Sequence, residues 1–265
     1  MLAVVRSELV RLRRPRMLVL WFGLMALFAI MVNTVMFGTA SSGTTLPAGA
    51  PGVRFPDAAT LAGPDGLVAG LAAASSMFGV VTLSFWALAT ATDYSSGLIR
   101  VLVAAEPHRW RLLVGKVVAL LIVTAVAVAV ATVVTVMAAL PAAQAAGIST
   151  SDWMTDPLTT IAQAWLNTYL ALIVWGVIGL VLAVLTRSAA VAISIGVGYV
   201  LVVESIVKMA IGDGSDWLLG STLNAIAAGG TATLAYGAAL TLGVAYVVLG
   251  LAAATVVVVR RDVTD

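Results

Sequence analysis

Apolar residues fall into six long runs along this chain, at roughly 17–37, 67–91, 115–140, 159–185, 190–211 and 236–259. A helix rising 1.5 Å per residue needs about 20 residues to cross a hydrocarbon core of about 30 Å. Each run is long enough, so the pattern predicts six transmembrane helices. Several runs are rich in Ala, Val and Gly, as in GKVVALLIVTAVAVAVATVVTVMAAL from Gly115 onward. Valine favours strands in water. In lipid, however, the backbone must satisfy its own hydrogen bonds within the segment, and the helix wins. Small residues at short intervals also let helix backbones approach closely.

The joints between runs carry turn chemistry. Residues 38–66 (GTASSGTTLPAGAPGVRFPDAATLAGPDG) are dense in Gly, Pro, Ser and Thr, all turn formers. Residues 141–158 hold Pro141, Asp152, Trp153, Asp156 and Pro157, and residues 212–235 open with GDGSDW. The fourth and fifth runs are separated only by Thr186–Ala189, which predicts a tight helical hairpin. No internal repeat is visible. The expected fold is an all-α membrane protein forming one transmembrane domain over residues 1–265.

Composition supports that class. The chain is 62% hydrophobic and 10% charged, against about a quarter charged in ordinary soluble domains. Mean hydropathy is +1.10. With no cysteine and one histidine, disulfides, thiolate metal sites and cysteine nucleophiles are excluded, and no His-based metal site or hydrolase triad is expected. A net charge of +2 gives no reason to expect nucleic acid as a partner.

The placement of charge says more than its sum. Arg6, Arg11, Arg13, Arg14 and Arg16 precede the first run. Arg100, Arg109, Arg111 and Lys116 lie between the second and third, Arg187 between the fourth and fifth, and Arg260 and Arg261 after the sixth. That is twelve of the fourteen basic residues on one side, with Asp57, Asp65, Asp152, Asp156, Asp213 and Asp216 opposite. The positive-inside rule then puts both termini in the cytoplasm of a cell-membrane protein. The first run exceeds a signal-peptide core of 7–15 residues, so it is expected to be retained.

Two cytoplasmic segments carry further pattern. Leu2, Val5, Leu9 and Leu12 recur at helical spacing with arginines largely between them, which predicts an amphipathic elbow helix within residues 1–16, broken by Pro15. A disordered topology signal is the alternative. The second segment, Asp93–Lys116 (DYSSGLIRVLVAAEPHRWRLLVGK), is a charged island between two spans. It divides at Pro107, and Trp110 and Arg111 are expected at headgroup depth with Arg11, Arg13, Arg14, Arg16 and Lys116. A short helix here would act as a lever on two spans together, or its arginines would hold anionic lipid.

The order acidic–Tyr–x–x–Gly–x–x–Arg–x–Leu, then Pro–x–Arg, then Gly–Lys entering a span, occupies Asp93, Tyr94, Gly97, Arg100, Leu102, Pro107, Arg109, Gly115 and Lys116. This resembles the type-2, exporter-type ABC transporter permeases, with Asp93 and Leu98 where that family commonly has Glu and Thr. The resemblance implies a half-transporter pairing with a second permease copy, identical or related, and with two cytoplasmic ABC ATPase subunits. It further implies a coupling helix around Asp93–Pro107 between spans two and three that docks on the ATPase. ATP and Mg would be bound by the ATPase, with no cofactor on this chain. The residues agree that energy comes from elsewhere, since no G-x-x-x-x-G-K-[ST] is present to cradle phosphates. The cargo would be an amphiphile such as a drug, antibiotic, peptide or lipid.

Glu204 and Lys208 are an acid–base pair within a span, four residues apart and so on one helical face. They either face a substrate or ion path, or satisfy one another with Lys208 reaching outward. In the first case an ATP-independent secondary transporter or channel becomes the rival function. An intramembrane protease fits poorly: only one in-span acid is available, and no H-E-x-x-H is present. Asn33, Asn167 and Asn224 are expected to bridge helices, and Trp175 to pack.

Overall fold

A computed structural model describes residues 2–42, 55–98, 101–102 and 108–260. Among these residues the regular structure is entirely helical, and six helices are long and apolar enough to cross a membrane. They are span 1 (Pro15–Ser42), span 2 (Ser75–Ser95), span 3 (Arg109–Ala146), span 4 (Pro157–Thr186), span 5 (Ala189–Ile211) and span 6 (Tyr236–Arg260). The chain is a multi-pass membrane protein. A separate N-terminal helix, Leu2–Leu12, precedes span 1. It stops where Pro15, which has no N–H to give, starts the next helix.

The ends of the spans follow local chemistry. Span 3 closes at Gly147 with φ of 68°, where the Ile148 amide reaches back to Ala143 O at 3.0 Å; glycine carries no steric cost in this left-handed cap. Spans 4 and 5 form the expected hairpin. Span 4 ends at Thr186, and Ser188 caps span 5 by accepting from the Val191 amide. Span 5 is not one continuous α-helix. A π-helical stretch, Tyr199–Val203, separates Ala189–Gly198 from Glu204–Ile211.

Two expectations change. The second apolar run does not cross from residue 67. Its first part forms a 3₁₀ turn (Pro64–Leu67) and a short helix (Ala69–Ala73), and the span begins at Ser75. Close packing fixes this break: a Cβ on Gly70 would lie 2.4 Å from the Asn33 amide of span 1, and one on Gly66 1.8 Å from Leu61 O. In the last joint, expected as a polar connection, Leu219–Ala227 is a helix packed on spans 4 and 6. The far end of the bundle is closed by Ala58–Ala62 and Ser151–Met154. There the buried Trp153 donates from Nε1 to Leu61 O at 2.9 Å and lies 6.0 Å from the Phe37 ring. Asp57 caps Ala58–Ala62, and its hydrogen bonds from Thr60 hold its carboxyl below the usual value.

The centre of the bundle is the pairing of spans 2 and 4. Each offers a glycine to the other's tryptophan. A Cβ on Gly79 would sit 2.2 Å from Trp175 Nε1, one on Gly176 2.4 Å from Trp86 Cε2, and one on Gly179 2.3 Å from the Leu83 carbonyl. Trp86 and Trp175 are fully buried, and Trp86 donates to Thr124 Oγ1 of span 3 at 3.0 Å. Trp21 of span 1 stacks on Phe85, centroids 3.8 Å apart. Of the three asparagines, Asn167 bridges, accepting from Tyr236 Oη at 2.6 Å. Asn33 donates to Ala29 O of its own span instead. On the outward face, the far halves of spans 1 and 3 leave an apolar groove of about 660 Å³ lined by residues including Ile30, Thr34, Gly38, Met137 and Pro141.

Gly179→Val drives a side chain into backbone, which cannot yield as a flexible side chain would. Overpacking costs about 1–3 kcal/mol or more. Thermal unfolding of the purified protein should therefore show a midpoint lowered on the order of 5 °C or more. Gly237→Val, where nothing lies within 4 Å, should leave it unchanged.

Candidate functional site

Four charged residues from three helices converge on one cluster. Glu8 of the N-terminal helix, Asp93 near the end of span 2 and Lys116 near the start of span 3 are all buried, with Arg11 partly so. Arg11 Nη1 donates to Glu8 Oε1 at 2.5 Å, and Arg11 Nη2 pairs with Asp93 Oδ1. Lys116 Nζ lies 3.0 Å from Glu8 Oε2 and 2.6 Å from Asp93 Oδ2. The second of these is a charge contact outside hydrogen-bonding angles, since Asp93 Oδ2 has no hydrogen-bond partner. Lys116 also reaches Ala89 O at 3.4 Å. Two carboxylates and two cations thus alternate in a closed, charge-balanced set that links three helices.

Local packing puts them there. Helical spacing lines Glu8 up with Val5, Leu9 and Leu12, and this face is turned toward the bundle: Leu12 is buried and Leu9 packs on the core. Gly115 makes the approach possible, because a Cβ there would meet Val4 Cγ1 at 2.5 Å. The apolar stripe read from the sequence as a membrane-facing surface is therefore largely spent on protein.

Tyr94 is half-buried. Gly97 has φ of 68°, with its amide donating to Tyr94 O at 3.1 Å; this left-handed turn just beyond span 2 favours glycine. Leu102 is half-buried and Val101 exposed. Arg100 and Pro107 lie outside the described residues, as does the side chain of Arg109, whose backbone opens span 3. Trp110 is exposed, with the Arg111 guanidinium 5.6 Å from its ring centroid, a cation–π distance. Arg13, Arg14 and Arg16 are exposed.

Glu8 is the member of the cluster that the motif pattern does not point to. It is the one acidic residue before Asp57, and it interrupts an apolar helical stripe. An acid in that position is costly unless a cation meets it, and that cost is the signal the sequence does carry.

At the other end, Glu204 is buried and accepts from the Gly220 and Ser221 amides at 2.8 and 3.0 Å, with Lys208 Nζ at 2.8 Å. It thereby satisfies the first amides of the helix Leu219–Ala227. Lys208 is 41% exposed and extends outward from it. Among the described residues no group of three or more His, Cys, Asp or Glu could hold a metal ion.

A family model matches residues 26–264, most of the chain. The chain belongs to the family described as Protein of unknown function (DUF2705). No curated protein matches it. The match begins within span 1 and covers Asp93 and Lys116, while Glu8 and Arg11 precede it.

Lys116→Met would leave two buried carboxylates sharing one arginine. Breaking a buried ion pair this way costs about 3–5 kcal/mol, read as a large fall in unfolding midpoint. Glu8→Gln combined with Lys116→Met restores the charge balance and should recover most of that loss. Equal instability of the single and double variants would show that charge compensation is not what the cluster provides.

Proposed function

We propose that this chain is the membrane subunit of an ATP-driven exporter. It would work as a pair of permease copies, identical or related, with cytoplasmic ABC ATPase subunits that bind ATP and Mg. The observation that carries this reading is the ion cluster. Asp93 and Lys116 are the two ends of the segment that resembles a coupling region, and both are clamped to the N-terminal helix through Glu8 and Arg11. A push on the intervening residues would be delivered to spans 2 and 3 and the N-terminal helix as one unit. Spans 2 and 4 interlock through Gly79, Trp86, Trp175 and Gly176, so the displacement would pass on into the bundle.

In this scheme Asp93 and Lys116 are positioning residues, since they are buried. Contact with the ATPase would fall to the residues between them, with Gly97 setting the turn and Leu102, Arg100, Pro107 and Arg109 on the docking segment. Both termini and twelve of the fourteen basic residues would face the cytoplasm of a cell membrane, with the N-terminal helix as the elbow. The apolar character of the spans suits an amphiphilic cargo. A transporter working without an ATPase would need Glu204 and Lys208 for coupling. With two backbone amides and an ammonium on one carboxylate, Glu204 is better suited to holding a helix end.

Affinity purification of the tagged chain from its native membrane is expected to bring down an ATPase carrying a G-x-x-x-x-G-K-[ST] loop. In reconstituted vesicles Gly97→Pro and Arg100→Glu should lower transport-linked ATP hydrolysis tenfold or more while membrane insertion stays normal. Transport by the purified chain alone, or full coupling in both variants, would refute the reading.

A further inference from the structure

The face of the N-terminal helix opposite the ion cluster is exposed along Ala3, Arg6, Ser7 and Val10, and the exposure continues through Arg13, Arg14 and Arg16. None of these four arginines has an acidic partner among the described residues, whereas Arg11 is consumed by Glu8 and Asp93. Arg16 also heads a second feature. On span 1, Arg16, Val19, Leu20, Gly23 and Leu27 recur at three- and four-residue spacing, and all are exposed. Val19 is 70% and Leu20 64% exposed, and the space beside Gly23 is open for 4 Å.

From Arg16 to Leu27 the helix rises about 16 Å, roughly half of a 30 Å hydrocarbon core. A group of unpaired guanidinium groups thus stands at the top of an apolar strip one leaflet deep. Guanidinium forks pair with phosphate through parallel hydrogen bonds, and the strip below offers only hydrocarbon.

We infer that Arg13, Arg14 and Arg16, with the exposed strip Val19–Leu27 of span 1, form a binding site for one anionic phospholipid, its phosphate on the arginines and an acyl chain along the strip. Charge complementarity selects the anionic headgroup. The contiguous apolar strip selects a lipid over an acidic protein, which would have no use for residues at hydrocarbon depth. The inference depends on membrane embedding alone and holds whether or not an ATPase drives the chain. Because the neighbouring helix Leu2–Leu12, which ends next to Arg13, is pinned through Glu8 and Arg11 to spans 2 and 3, a bound headgroup would also stabilise the cluster.

Native mass spectrometry of the full chain, titrated with phosphatidylglycerol or with phosphatidylcholine of the same acyl chains, tests this. The wild type should prefer phosphatidylglycerol. R13Q/R14Q/R16Q should lose that preference by about a hundredfold, taking each arginine at the usual contribution near an anionic surface. R187Q/R260Q/R261Q removes the same charge elsewhere and should keep it. No preference in the wild type, or equal loss in both triple variants, overturns the site. A second measurement needs no variant: phosphatidylglycerol with a diazirine at mid-chain should label the Val19–Leu27 segment of the wild type. Labelling confined to other spans, or capture of an acidic protein without any lipid preference, also overturns it.

Discussion

Charged side chains cannot leave water singly, and that constraint organises the N-terminal end of this protein. Four of them, Glu8, Arg11, Asp93 and Lys116, leave it together. Each carboxylate meets both cations, so the closed arrangement has no net charge to solvate. Buried ion pairs of this kind are weak sources of net stability but strong sources of specificity, because alternatives leave a charge uncompensated. Here the specificity is positional: a helix outside the spans is held in one register against two of them.

The interior of the bundle is governed by contact distance. Between helices in lipid there is little hydrophobic gain from association, so packing must supply it. Spans 2 and 4 meet through reciprocal glycine–tryptophan seats, Gly79 with Trp175 and Gly176 with Trp86. Spans 5 and 6 are much less enclosed. Their order comes from specific polar ties: Glu204 on the Gly220 and Ser221 amides, Tyr246 Oη donating to Trp217 O at 2.5 Å, and Tyr236 on Asn167.

These two kinds of restraint divide the molecule. One end is tied by a charge cluster, the centre by close packing, and the far end by Trp153 and the short helices it pins. The π-helical stretch Tyr199–Val203 lies directly before Glu204, so the one irregular turn in span 5 is succeeded at once by the residue that anchors it. Such a turn shifts the helical phase of the residues beyond it. It comes immediately before the residue whose carboxylate meets Gly220 and Ser221.

The class of the fold was readable from residue order alone. Runs of about 20 apolar residues in a chain this poor in charge have only one way to satisfy their backbones, and the hairpin at Thr186–Ala189 comes from a gap too short for anything else. Pro15 likewise marked the break after Leu12. The break before Ser75 and the helix Leu219–Ala227 were not readable, because both are set by neighbours distant in sequence: Asn33 against Gly70, and Glu204 against Gly220. Glu8 illustrates the boundary. Sequence places an acid on an apolar stripe and so says that a cation must meet it. Only the folded chain decides that the cations are Arg11, one turn away, and Lys116, 108 residues on, because electrostatic pairing depends on distance in space and hydropathy only on order along the chain.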